Sequence, residues 1–130
     1  MKKFVSSWKS SSSPRKKRKY QAQAPLHIKR HFLGAHLAKP LRVKLKIRSV
    51  AVRKGDAVKI LRGQFAGKSG KVENVDTRRS RVFIDVAFML KRDGSKVFYP
   101  LHPSNLLVTE LMLDDKWRKR SLEGTKEGTK

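Results

Sequence analysis

The chain has no cysteine among its 130 residues, which excludes disulfides and thiolate metal ligands and fits a reducing compartment. It has no apolar run near the roughly 18 residues that would suggest a membrane span, and its start lacks the apolar core of a secretory signal. A soluble, cytoplasmic protein is expected. The scarcest commodity is negative charge: Asp56 is the first carboxylate, and residues 1–55 carry 17 Lys or Arg and no acid. Over the whole chain 33 basic residues stand against 10 acidic ones, a formal net charge of +23. A compact domain with that excess repels itself, so the charge calls for a polyanion that neutralises it in the working state.

The length suits one domain, yet 33% of the residues are charged, too many for a core drawn from the whole chain. A small core with basic arms is expected. Catalysis has little to be built from, because the acids are scattered and there is no thiol. No enzyme activity, cofactor or small-molecule substrate is therefore expected, and nothing points to a homo-oligomer.

Three regions follow from composition: a basic N-terminal arm over residues 1–51, a globular part over residues 52–112, and a C-terminal helix and tail over residues 113–130. In the arm, Ser10 to Pro14 is rich in breakers and leads into Arg15, Lys16, Lys17, Arg18 and Lys19, a block of like charge expected to be disordered when free. As a solvated tail or a nuclear-localisation signal it would be unremarkable; the acid-free context favours nucleic acid. Pro25 and Gly34 bracket a short helix, on which Lys29, Arg30 and the histidines His27 and His31 offer donors to phosphates. The two histidines are four apart, but Ile28 breaks the HExxH pattern and His36 lies past Gly34, so no metal site is expected. Leu41 to Arg48 alternates apolar and basic residues, which by period reads as a strand, although a short helix also fits.

From Val52 onwards short apolar alternations are separated by turn residues. Five strands are expected, at 57–62, 71–75, 81–86, 97–99 and 106–109. Together they fit a small antiparallel barrel, with Val58, Ile60, Phe65, Val72, Val75, Val82, Ile84 and Val86 as its core. The loop Gly63-Gln-Phe-Ala-Gly-Lys-Ser69 looks like a phosphate-binding P-loop but is one residue short and leads into a strand-like segment rather than a helix. Its glycines are read as providing positive φ and close approach in a tight loop.

The run from Val52 to Asp76, VRKGDAVKILRGQFAGKSGKVENVD, resembles a KOW motif. With APLHIKRHFLGAHLAKPLR from Ala24 and YPLHPSNLLVTEL from Tyr99, it is similar to ribosomal large-subunit protein twenty-four of the archaeal and eukaryotic type, over roughly residues 14–115. The resemblance implies a mainly β fold: an SH3-like barrel with short helices in its basic extension, one of them near Lys39 to Leu45. It also implies binding to large-subunit ribosomal RNA beside neighbouring ribosomal proteins near the peptide tunnel exit, and a role in early subunit assembly.

For RNA contact the arm offers Arg15 to Lys19 with Tyr20, and the globular part offers Arg53, Lys54, Arg62, Lys68 and Lys71 around the first turn and the glycine loop. Arg78, Arg79 and Arg81 extend that surface or form an ordinary solvated turn. Trp8, Tyr20 and Phe32 are candidates for stacking on unpaired bases, with Phe32 equally suited to packing its helix on the barrel. The rival class is a general DNA- or RNA-compacting protein. A transcription factor of the KOW class lacks room for its partner domain here, and a binder of anionic membranes lacks the wide apolar helix face.

Overall fold

The structure, a computed structural model, describes Phe4, Trp8 and residues 10–124. In chain order the elements are α1 (Pro14–Gln23), α2 (Leu26–Lys29) continued by a 3₁₀ turn (Arg30–Leu33), β1 (Gly34–Leu37), α3 (Lys39–Leu45), β2 (Ser49–Ala51), β3 (Ala57–Ile60), β4 (Ser69–Asp76), β5 (Arg81–Ile84), β6 (Phe88–Leu90), β7 (Lys96–Phe98), a second 3₁₀ turn (Pro103–Asn105), β8 (Leu106–Glu110) and α4 (Lys116–Gly124). Six strands form one sheet in the order β2-β1-β8-β3-β4-β5, and β6 and β7 form a separate hairpin. The fold is thus mixed, with a strand-rich domain at its centre.

Period-two alternation built the strands that the sequence announces. In β3 Val58 and Ile60 point inwards while Lys59 is exposed, and in β5 Val82 and Ile84 are buried while Arg81 is exposed. Six of the eight expected core residues are buried, and Val75 and Val86 pack against the core from its margin.

The expectation of a closed, all-antiparallel barrel confined to residues beyond Val52 needs correction. β1 and β2 come from the arm, and β1 lies between β2 and β8, running parallel to β8. The sheet has edges at β2 and β5 and does not close, although Val82 makes a single bridge to Leu101. The reason is apolar: Leu33, Ala35, Leu37 and Leu45 are buried in the same cluster as Val58 and Val108, and removing such side chains from water is the main gain on folding.

One local expectation is revised and one open alternative is decided. Residues 14–23 form a helix rather than a disordered run: Pro14 opens it at a first-turn position, Lys and Arg are good helix formers, and Tyr20 stacks on Trp8 with centroids 4.4 Å apart. The alternating stretch at Leu41 to Arg48 resolves as helix over Lys39–Leu45. Pro40 starts it, and Lys46 ends it in the left-handed region at φ 56. The apolar-basic alternation there still leaves Leu45 buried and Leu41 half-buried, because positions four apart share a helix face.

In the glycine loop, Gly67 takes φ +84 as expected, but Gly70 serves a different need. A Cβ on Gly70 would fall onto the Asp85 carboxylate and lie 3.0 Å from both methyls of Val86. The loop passes directly into β4, so it is no P-loop.

The most telling interaction is buried. Asp56 is 0% exposed and Arg118, from α4, is 5% exposed. They meet in a two-pronged pair, at 2.6 Å to Asp56 Oδ1 and 2.7 Å to Oδ2. The Met112 N–H also donates to Oδ1 and the Arg53 N–H to Oδ2, at 3.0 and 2.9 Å. Arg118 in turn donates to the Met112 and Ala51 carbonyls. A buried charge is tolerated only when its hydrogen-bonding capacity is filled in this way, and here the filling ties α4 to the β2–β3 turn.

Candidate nucleic-acid interface

Folding gathers basic residues from distant parts of the chain into one groove. Arg18 on α1, Lys29 on α2, Arg78 and Arg79 in the β4–β5 turn, Arg81 on β5 and His102 beside the second 3₁₀ turn all line it. Among the described residues no carboxylate does. The turn is shaped by Asp76, whose Oδ1 accepts the Arg79 N–H at 3.1 Å, and by Ser80 in the left-handed region at φ 53. That local hydrogen bond is the device by which aspartate favours turns, and it leaves Arg78 and Arg79 exposed. Lys29 Nζ donates to the Arg78 carbonyl at 3.4 Å, which links the helical segment to the turn.

His102 caps its 3₁₀ turn by accepting the Ser104 N–H at Nδ1. Its pKa lies below the ordinary histidine value, first because of partial burial and second because the Arg81 guanidinium repels a second positive charge.

A second groove lies on another side, where His27, Arg30, His31 and Arg53 line a cleft with Ile47 and Arg118. Trp117 stands at its margin and is 76% exposed. Of the sequence candidates, then, Lys29, Arg18, Arg78 and Arg79 converge in the first groove, and His27, Arg30, His31 and Arg53 in the second. Arg15, Lys16, Lys17 and Lys19 are exposed along α1. Arg62 and Lys68 are exposed on the glycine loop, and Lys71 is exposed on β4; Lys68 Nζ sits 5.5 Å from the centroid of the Phe65 ring.

Two candidates already have carboxylate partners. Arg53 is paired with Asp115, and Lys54 Nζ lies 3.3 Å from Glu73. The Asp115 carboxyl is held below the usual aspartate range, chiefly by the hydrogen bond from Arg53 and next by the Trp117 N–H. Tyr20 is half-buried in an aromatic cluster with Phe4, Trp8 and Phe32.

Sequence reasoning missed His102 in the first groove and the Asp56–Arg118 pair behind the second. A signal for His102 was present, since a histidine directly before Pro103 and Ser104 has the spacing of a cap. Nothing in the sequence links Asp56 to a partner 62 residues away. The groups of His, Asp and Glu among the described residues form no cluster that could hold a metal ion, and no described helix is long and apolar enough to cross a membrane.

A strand-rich protein with a groove that is lined by cations and, among the described residues, by no carboxylate, assembled from an N-terminal helical segment and the turns of its sheet, belongs to the class that engages a polyanion. Comparison with known proteins narrows this class. The family of eukaryotic ribosomal proteins L26 and their archaeal counterparts matches residues 11–125. Large ribosomal subunit protein uL24 of Methanosphaera stadtmanae is 48% identical over 112 residues, covering 86% of this chain and 96% of the relative. Its namesake from Methanospirillum hungatei is 46% identical over 114 residues, covering 88% of this chain and 95% of the relative. The chain belongs to this family of ribosomal proteins.

Proposed function

We propose that this protein is held in the large ribosomal subunit by ribosomal RNA, with its basic helical segment and the β4–β5 turn gripping phosphates from two sides. As a member of its family it is a structural constituent of the large ribosomal subunit. The observation that carries the binding mode is the convergence of Arg18 and Lys29 with Arg78, Arg79 and Arg81 in one groove. Residues 1–55 supply 17 cations and no acid, so they have no carboxylate of their own to meet, whereas phosphates release condensed counterions on contact. Such contacts set position and affinity, and the fixed arginines of the turn set register.

The division at residue 51 is then a division of labour, in which the arm contributes most of the excess charge and the strand-rich part beyond it contributes register. In this reading the strands form an SH3-like barrel left open between β2 and β5. The protein works in cytoplasmic ribosomes and joins the subunit early, near the peptide tunnel exit, as the family resemblance implies. Met89, Leu90 and Val97 are exposed on the β6–β7 hairpin, a surface suited to a neighbouring ribosomal protein rather than to phosphate.

Sedimentation of a cell lysate on a sucrose gradient tests the assignment. Co-migration with large subunits at moderate salt is expected, together with weak competition by duplex DNA for the purified protein's ribosomal RNA. Equal competition by duplex DNA would instead favour a general nucleic-acid compactor.

A further inference from the structure

Phe32 lines two adjoining clefts at once. On one side lies the basic groove of Lys29, Arg78, Arg81 and His102. On the other lies a cleft walled by Trp8, Lys17 and Tyr20, and Gln21 lines both. Within that wall Trp8 stacks on Tyr20 at 4.4 Å with the rings 29° apart, and Tyr20 meets Phe32 edge-on at 6.3 Å. Phe4, 5.0 Å from Tyr20, completes a cluster of four aromatic rings, an arrangement that usually belongs to a core. These stand apart from the core cluster, and α1, which carries Tyr20, has no buried residue. Phe4, Trp8, Tyr20 and Phe32 are each half-buried, so part of the ring cluster stays accessible beside cations that, among the described residues, no carboxylate accompanies.

We propose that this junction is a subsite for one unpaired RNA nucleotide, whose base joins the Trp8, Tyr20 and Phe32 stack while its phosphate is held by Lys29, Arg78 and Arg81. The inference rests on the RNA-binding reading and narrows it to a particular kind of RNA feature. A base inside a duplex has both faces covered by its neighbours and cannot reach the rings, whereas a bulged or looped base can. Stacking accepts any base, because every base has a π-face, so the subsite reads the presence of an unpaired nucleotide and not its identity. His102 adds a donor. Its Nδ1 accepts the Ser104 N–H, so the neutral ring carries its proton on Nε2, available to a phosphate oxygen. An apolar peptide would leave the cations unmatched, and a free phosphate would leave the rings unused.

The test uses the full chain with Trp117→Phe, so that Trp8 is the remaining one of the two tryptophans. Its binding is compared for three RNA stems: fully paired, carrying one bulged nucleotide, and carrying an abasic bulge of the same backbone. The bulged stem is expected to bind about tenfold more tightly than the abasic one, in line with one base stacked on aromatic side chains, and to change the Trp8 emission where the other two do not. Tyr20→Leu is expected to bring the bulged stem down to the affinity of the abasic one. Equal affinity for the bulged and abasic stems with unchanged Trp8 emission would overturn the subsite while leaving RNA binding intact. Failure of all three stems to bind at low salt would overturn both.

Discussion

The arm and the sheet use charge in opposite ways. Beyond residue 52 carboxylates meet donors within the chain: Asp56 binds Arg118, Asp115 binds Arg53, Glu73 binds Lys54, and Asp76 and Asp85 accept the backbone N–H groups of Arg79 and Lys71. Among the described residues no ion pair involves a residue before Arg53. The arm's apolar residues nevertheless behave like those of the sheet, since Leu33, Ala35 and Leu37 are buried with it. The border that the charges draw and the border of the core are therefore different. Charge changes character near Asp56, whereas the core begins at Leu33.

The largest effect should come from cutting the chain at the charge border. A fragment of residues 52–130 looks complete if strands are read from the sequence, but it lacks β1 and β2, four core residues and the Ala51 carbonyl that receives Arg118. Far-ultraviolet circular dichroism is expected to show it largely unfolded. A cooperative melt like the parent's would put the core border where the charge border lies.

Next in size is the buried pair. Arg118→Met leaves the Asp56 carboxylate enclosed without its partner, and the expected loss is about 3–5 kcal/mol in denaturant unfolding. Adding Asp56→Asn to it should recover part of that loss, because the uncompensated charge is gone. If Arg118→Met unfolds at the parent's midpoint, α4 is not fastened by this pair.

Smaller again is the glycine-loop comparison. Gly70→Val must displace the Asp85 carboxylate and press on Val86, a form of overpacking expected to cost roughly 1–3 kcal/mol. Lys68→Ala removes an exposed side chain and should stay within about 0.5 kcal/mol of the parent. Thermal melting of the two side by side decides whether close approach, and not the lysine, is what this loop requires.

The smallest effect is electrostatic. The folded state depresses the Asp115 pKa through Arg53, so the unfolded chain binds this proton first as pH falls. The contribution is therefore complete above the ordinary aspartate range and is lost as pH drops through the depressed folded value. Asp115→Asn should destabilise slightly at neutral pH and match the parent in strong acid; a deficit independent of pH would assign the loss to packing.

These comparisons also show what was readable beforehand. β3, β4, β5, β7 and β8 were legible because apolar residues alternate between turn signals, as Val58 and Ile60 do before Gly63. β1 and β2 were not, because Gly34–Leu37 and Ser49–Ala51 are short and sit among lysines and arginines, so the charge overshadowed Ala35 and Leu37. The helix at Lys39–Leu45 hid behind a period of two, which in so short an element competes with helical spacing, and the family resemblance favoured it over the strand. For the candidate interface, residue type was legible and convergence was not. Lys29 lies 49 residues before Arg78 in sequence, and only the folded chain brings the two into contact. The expected tail beyond residue 124 lies outside the described residues.

The segment before the core is expected to supply RNA affinity and little stability. Deleting residues 1–24 removes 8 Lys or Arg and no acid, and Ala24 is the one buried residue among those described in it. The decisive measurement is the salt dependence of ribosomal RNA binding for this truncated chain and for the whole one, with thermal melting as a control. Each lost phosphate contact lowers the log-log slope by roughly 0.7–0.9, so the slope is expected to fall by several units while the melting temperature moves by only a few degrees. An unchanged slope with an unchanged melting temperature would mean that the sheet alone holds the RNA.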